Sequence, residues 1–294
     1  MKKDGDCHPF FVHVRILCIF APRIKTAKKM ALIQSMEATG AKLFKYRGQI
    51  PVLIFALAIP ILICADDCLS ESLYTNRYGS TIAVVLAILV TLAGLILRAY
   101  TVSTTPKGTS GRNTASQVAN TLNTKGIYSV VRHPLYFANY LIWLGLLIFS
   151  RNIYVLIIVS LVYWIYYERI MMTEEAYLRG KFGDAFEEWA ARVPAFFPKW
   201  SLYEGGMLEF SWKTFIRREY ATWLSTVYSY LATDWILYQL WNARAAACYG
   251  HVDGSYITDH SVILWIAIVY TIIALLIKLI KHKTTWLDAT PDRD

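Results

Sequence analysis

The chain has 294 residues, of which 56% are hydrophobic, 15% aromatic and only 17% charged, with a formal net charge of +9. Soluble globular domains are rarely so apolar, and here the apolar residues come in blocks, which argues against an ordinary soluble enzyme and for a membrane protein. The positive charge need not mean nucleic acid, because no basic–aromatic binding module accompanies it.

Residues 1–49 read as a basic cytoplasmic segment. His8–Pro22 is apolar but too short to span, contains Arg15, and is followed by no small-residue cleavage site. It is either an interfacial helix or an extension upstream of a start at Met30. Lys25–Arg47 is a mildly amphipathic basic lead-in suited to an anionic leaflet. Six apolar blocks follow: Ile50–Ala65, Ser80–Leu97, Leu135–Phe149, Ile153–Tyr167, Tyr220–Trp241 and Ser261–Ile280. Several fall short of the roughly 20 residues of a full span, and polar flanks such as Tyr46, Asn139 and Trp164 extend them. Thr101–Lys125 is a polar loop with turn residues Pro106, Gly108 and Gly111. Thr173–Trp189 has helical character and ends at Pro194. Ser201–Glu219 is a second linker, in which Phe210, Trp212 and Phe215 neighbour Lys213, Arg217 and Arg218. The expected fold is therefore all-α and polytopic, with about six transmembrane helices. It divides into an N-terminal segment 1–49, a core 50–200 and a two-span extension 201–294.

The basic residues test this map independently. They crowd before the first block and after the second, fourth and sixth, whereas the alternate loops hold only Arg77, Arg151 and Arg244 together with Asp66, Asp67, Glu71, Asp253 and Asp259. The positive-inside rule then places both termini in the cytoplasm, with Lys107, Lys181 and Lys213 on that side and Asp66–Gly79 and Arg244–His260 outside. The five cysteines (Cys7, Cys18, Cys64, Cys68, Cys248) form no CxxC and have no His partner at ligand spacing, so no metal site is expected. Cys64 and Cys68 lie one helical turn apart and read as two packed thiols rather than a disulfide.

Chemistry concentrates in two polar clusters at the two ends of the third and fourth blocks. Gly126-Ile127-Tyr128 leads to Arg132-His133-Pro134-Leu135-Tyr136, and Thr173-Glu174-Glu175 leads to Phe182-Gly183 and Val193-Pro194. A hairpin folds both clusters to one side of the membrane. Taken alone, an acidic pair is a solvated turn, His133 a structural histidine and Pro134 the first residue of a helix. Opposed across a hairpin, the charges mark a cytosol-facing site. Asp234 within the fifth block is costly in lipid and is expected to face protein or water. The glycine fingerprints of soluble nucleotide-binding folds are absent.

The ordered set Gly126-x-Tyr128-x-x-x-Arg132-His133-Pro134-x-Tyr136, Glu174-Glu175-x-x-Leu178, Phe182-Gly183, Val193-Pro194 resembles the isoprenylcysteine carboxyl methyltransferases, which are related to the phospholipid methyltransferases. The resemblance covers about a third of the chain, from Asn113 to Pro198. It implies an integral membrane methyltransferase using S-adenosyl-L-methionine and acting on a lipid or lipidated substrate. Carried over by position, cofactor contacts fall on Asn120, Thr121, Leu122 and Asn123, on Tyr128, on His133, Pro134, Leu135 and Tyr136, and on Glu174; no single catalytic residue is assigned. Asn120 stands where the prenylcysteine enzyme has histidine. Ile170 stands where the family has a substrate-binding arginine, with Arg169 adjacent, which points away from a prenylcysteine acceptor. The basic lead-in Arg217-Arg218 to a two-span extension is similar to bacterial inner-membrane relatives that methylate lipid phosphates, including lipid A phosphate. Substrate contacts are accordingly expected at Arg169, Arg217 and Arg218, and an anionic headgroup as acceptor. A membrane reductase with a nicotinamide cofactor, or a non-enzymatic scaffold or transporter, are the alternatives.

Overall fold

A computed structural model describes residues 32–64, 77–106, 119–206, 208–249 and 260–288. The apolar stretch His8–Pro22, Met30, Lys107, Cys68 and most of the two loops expected outside lie beyond the described residues; Cys64 is a free thiol. Helix α1, Leu32–Lys45, meets α2, Ile50–Cys64, at a 95° bend. Pro51 is tolerated in the first turn of α2, whereas Pro60 lies inside the helix and removes a backbone hydrogen bond. Then follow α3 (Arg77–Thr104), α4 (Pro134–Phe149), α5 (Ile153–Phe182), α6 (Asp184–Arg192), α7 (Trp212–Tyr249) and α8 (His260–Lys283). No strand occurs among the described residues, where one isolated antiparallel bridge joins Gly126 to Glu204.

The six apolar blocks correspond to α2, α3, α4, α5, α7 and α8. Among the described residues three helical stretches are long and apolar enough to cross a membrane: residues 81–104 of α3, all of α5, and residues 261–283 of α8. A fourth is counted if α1 and α2 form one broken span, and α4 is a shorter apolar helix of 16 residues. The outward faces are apolar. In α8, Trp265, Val269, Ile272, Leu276 and Leu279 are all exposed, as lipid-facing side chains are.

Two elements differ from the sequence expectation. The helical character expected of Thr173–Trp189 is present, but not as one helix of its own. Its first half continues α5, so that Glu174 and Glu175 project from the same rigid 30-residue rod as the fourth apolar block. The break comes at Gly183, whose φ of 53° suits glycine and turns the chain into α6. Likewise the linker Ser201–Glu219 is helical from Trp212, because the Ser211 hydroxyl accepts from the Thr214 amide and caps α7.

Small residues set the packing. Ala87 and Ala138 are fully buried, and a side chain on Gly145 would collide with Thr91 and the Ala87 carbonyl, so α3 and α4 approach closely through absent side chains. The same applies to α1. The Thr173 hydroxyl donates to the Glu37 carbonyl at 2.9 Å, and a Cβ on Gly40 would meet the Arg169 carbonyl and Thr173 Oγ1. The N-terminal lead-in is thus seated on the acidic end of α5. Aromatic rings fill the centre: Tyr163 and Tyr167 stack at 4.2 Å, Tyr136 lies 4.9 Å from Tyr167, and Phe149 lies 4.9 Å from Tyr230. Asp234 is completely buried in protein.

Gly40→Val should release α1 from α5. Overpacking of this kind costs about 1–3 kcal/mol. The expected result is a lower melting temperature in detergent together with faster limited proteolysis after Lys42 and Lys45. A variant as protected as the parent would show that α1 does not depend on this contact.

Candidate functional site

The loop before α4 has little regular structure, yet its backbone is paired. Arg132 N–H donates to the Pro194 carbonyl (2.9 Å), His133 N–H to the Ala195 carbonyl (3.1 Å), and Lys199 N–H to the Val130 carbonyl (3.0 Å). Further along, Gly126 N–H donates to the Glu204 carbonyl, Glu204 N–H donates to the Ser129 hydroxyl, and the Trp189 indole N–H donates to the Tyr128 carbonyl. The segment from Val193 to Glu204 is therefore a strap that replaces the partners a helix would supply. Val193 is extended, as the residue before a proline prefers. The Val193-Pro194 motif thus has a structural use: it holds Arg132 and His133 in register.

His133 is the residue before α4, and Pro134 is the first of the helix. The imidazole is buried between two carboxylates. Its Nε2 lies 3.0 Å from Glu175 Oε1 and its Nδ1 lies 3.5 Å from Glu174 Oε2. Tyr136 donates its hydroxyl to Glu174 Oε1 at 2.6 Å, and Tyr163 donates to the Tyr136 carbonyl at 2.9 Å. Arg132 Nε is 3.3 Å from Glu175 Oε1, a charge contact without hydrogen-bond alignment. Arg47, stacked over Phe44, approaches Glu174 Oε1 to 3.9 Å. Two carboxylates thus meet two guanidinium groups and one imidazole on α5, about two turns before its C-terminal end.

A second part adjoins the first along the chain. Thr104, Thr105, Pro106, Asn123, Lys125, Gly126, Tyr128 and Gly206 line a shallow cleft with a cavity volume of about 10 Å³. That is room for about one water molecule. Asn123 is nine-tenths buried, and its Nδ2 has no protein acceptor. Leu122 and Tyr128 pack with Phe182, Phe186, Trp189 and Val193 behind it.

The residues expected from sequence are therefore distributed over two groups. His133, Tyr136 and Glu174 touch one another; Asn123 and Tyr128 line the cleft; Leu122 packs beneath; Pro134 and Leu135 open α4; Asn120 and Thr121 are exposed. The expected substrate residues lie apart. Arg169 sits under α1, where its carbonyl faces Gly40, and Arg217 Nη1 is 3.6 Å from Asp288 Oδ1 near the end of the described chain. Arg218 is half-buried on α7. Sequence reading missed Arg47, Trp189 and the carbonyls of Pro194 and Ala195. It also missed a buried junction in which Arg98 on α3 donates to Glu219 on α7 and to Asn139 on α4, each at 2.7 Å. Arg98 directly follows an apolar block, and Asn139 lies one turn after Tyr136; those positions were the available signals.

Burial disfavours a charged His133, but hydrogen bonds and charge from Glu174 and Glu175 outweigh it and raise its pKa above the ordinary 6.5. Both ring nitrogens face carboxylate oxygens, so both contacts are donated only by the imidazolium. A raised folded-state value gives stabilisation that is complete below the ordinary pKa and lost as pH climbs through the raised one. Melting temperatures of the parent and His133→Gln should therefore differ most below the ordinary histidine pKa of about 6.5 and converge as the pH rises past the raised value. A difference that grows with pH would refute the charged assignment.

Residues 82–185 match the family model for phospholipid methyltransferases. That stretch takes in most of α3, all of α4 and α5, and both charged clusters, and it ends before the strap. The cobalt-zinc-cadmium resistance protein CzcN of Cupriavidus metallidurans is 43% identical over 86 residues, 29% of this chain and 39% of that protein. The protein-S-isoprenylcysteine O-methyltransferase of Schizosaccharomyces pombe is 41% identical over 78 residues, 26% of this chain and 33% of that one. The nickel-cobalt-cadmium resistance protein NccN of Alcaligenes xylosoxydans is 35% identical over 94 residues, 32% of this chain and 41% of that one. The chain thus spans about two fifths or less of the length of these relatives. No solved structure matches. Over the stretch that carries the His133–Glu174–Glu175 cluster, the chain is similar to phospholipid and isoprenylcysteine methyltransferases.

Proposed function

We propose that the protein is an S-adenosyl-L-methionine-dependent methyltransferase of the membrane. In this reading it has six spans with both termini cytoplasmic, and it O-methylates an anionic headgroup, phosphate or carboxylate, of a lipid or lipidated substrate. The observation that carries the reading is the closed charge cluster of His133, Glu174 and Glu175 on a membrane-length helix, inside the stretch that matches the phospholipid methyltransferase model. The buried, unpaired Nδ2 of Asn123 in the adjoining cleft adds a donor suited to a polar ligand.

The donor set fits the cofactor. Glu174 would hold its ammonium, Arg132 its carboxylate, and Tyr128 with Asn123 its adenosine portion. When bound, the cofactor supplies a methyl group on a sulfonium sulfur that keeps the bonding electron pair, so an acceptor already ionised needs no general base. The two glutamates have different tasks. Glu175 is gripped by His133 at 3.0 Å and Arg132 at 3.3 Å, whereas Glu174 has one short contact, from Tyr136, and only distant cations at 3.5 and 3.9 Å. A carboxylate accepts about four hydrogen bonds. Glu174 therefore keeps capacity for an incoming ammonium, and Glu175 locks His133 and Arg132 in place. The cluster sits between lipid and water, where a half-dry setting strengthens such contacts.

Glu174→Gln should weaken S-adenosyl-L-methionine binding by about 1.5–3 kcal/mol, the range for a lost charge-assisted bond, with little change in melting temperature. Glu175→Gln should lower both. Calorimetric titration in detergent reads these effects, and unchanged cofactor affinity in both variants would remove the cluster from the site. The same titration with a nicotinamide dinucleotide tests the reductase alternative, which tight binding of that cofactor alone would favour.

Orientation has its own test. A cysteine at Lys181 or Lys213 should resist an impermeant thiol reagent in intact cells and react after permeabilisation. Labelling at Lys181 in intact cells would refute the cytosolic site.

A further inference from the structure

Beyond the cluster, the most unusual charges lie in the junction of α3, α4 and α7. Arg98 directly follows an apolar run, about 9 Å of helix rise before the end of α3. Its Nε donates to Glu219 Oε2 and its Nη1 to Asn139 Oδ1, both at 2.7 Å. Glu219 is 1% exposed, whereas the Arg98 side chain keeps 19% of its surface. A carboxylate that deeply buried needs a facing donor, and the guanidinium supplies it.

The pair is not built for stability alone. Buried ion pairs seldom exceed well-packed apolar side chains in stabilisation, and charges inside membrane segments usually mark sites. Glu219 Oε1 is buried with no hydrogen-bond partner, so the carboxylate is only half satisfied. Arg98 has about five N–H donors, and these two bonds use two of them. The Arg98 side chain keeps 19% of its surface, so donors not used in these two bonds have access to a ligand. The position adjoins the candidate site, since Asn139 follows Tyr136 on α4 by about 4.5 Å of rise. Tyr136 in turn donates to Glu174.

We propose that Arg98, aimed by Glu219 and Asn139, binds the anionic group of the methyl acceptor, and that α7 completes the acceptor site through Glu219. This rests on the methyltransferase reading and assigns its acceptor residue. Arg98 supplies the cation that Ile170 does not, and Arg217 faces Asp288. Arg98 is a binding residue in this scheme, and Glu219 and Asn139 are positioning residues. The recognised chemistry is an oxyanion, phosphate or carboxylate.

The test uses the full chain in phosphatidylcholine nanodiscs doped with phosphatidic acid or with a long-chain fatty acid, with inorganic phosphate as a soluble competitor. Bound lipid is read by native mass spectrometry, cofactor affinity by calorimetry and folding by thermal melts. Arg98→Gln should lower the affinity for the preferred anion by about tenfold or more, and Glu219→Gln by a smaller factor, while cofactor affinity stays within about twofold. Arg98→Lys should restore part of the binding. The Arg98→Gln/Glu219→Gln pair keeps hydrogen-bonding groups without charge, so it separates lost binding from lost folding. Loss confined to phosphatidic acid or to fatty acid identifies the group, and competition by inorganic phosphate shows that the headgroup suffices. Equal anion binding by parent and Arg98→Gln overturns the proposal, as does a parent that binds none of the three anions. If the parent binds the anion through Arg98 but not S-adenosyl-L-methionine, the methyltransferase reading fails and the anion site stands.

Discussion

Two adjacent carboxylates on one helix, at the edge of an apolar slab, must find cations. Every distinctive feature near Glu174 and Glu175 answers that requirement. His133 bridges the pair from the start of α4, Arg132 approaches Glu175, and Arg47 reaches Glu174 from within the 95° bend between α1 and α2. Because α5 runs unbroken through the pair, the two charges cannot turn away into water independently. Compensation therefore has to come from neighbouring elements, which ties the loop before α4, the strap and α1 to one point. Removing a single partner from such an arrangement leaves a half-buried charge, and for that reason its parts act as a unit.

Much of this was legible in the sequence, because hydrophobic blocks and turn residues are local signals. The six blocks match helices, Pro134 begins α4, and the opposition of Arg132-His133 to Glu174-Glu175 followed from hairpin geometry alone. The phospholipid methyltransferase match falls on the same stretch as the motifs. What the sequence concealed depended on long-range contacts. Nothing local says that the Pro194 and Ala195 carbonyls satisfy Arg132 and His133, since a backbone acceptor carries no residue-specific mark. The seating of α1 rests on a missing side chain at Gly40, and a lone glycine in a helix reads only as a weak spot. The continuous α5 was misread as two elements because its apolar pattern stops at Tyr167 while its backbone continues to Phe182. Helix propensity carried the chain past the end of the hydrophobic pattern.

The C-terminal segment is joined to the core by polar contacts inside an otherwise apolar bundle. Thr91 and Tyr230 hydroxyls meet at 2.7 Å, Tyr230 also donates to the Ala87 carbonyl, and Glu219 takes Arg98. Apolar surface alone would hold α7 weakly, because lipid competes equally for it. Hydrogen bonds between helices fix a unique register, and that register puts Glu219 beside Arg98. On this view α7 is more than packing for the core.

The position of the charges also bears on the chemistry. Methyl transfer from a sulfonium to an oxyanion removes both charges, so a water-poor setting favours it. The same setting penalises the carboxylates and guanidiniums that hold the reactants, and the penalty is greatest at mid-membrane. A workable compromise puts the ion-rich contacts at the helix ends, where water screens them, and leaves the reacting atoms slightly deeper. His133, Glu174 and Glu175 occupy such an end, and the tyrosines Tyr136, Tyr163 and Tyr167 extend inward from it. Tyrosine offers a hydroxyl without a net charge, so it can line the deeper part at small electrostatic cost. On the proposed reading, the gradation from ion pairs through phenols to plain hydrocarbon suits a charge-neutralising reaction at a lipid boundary.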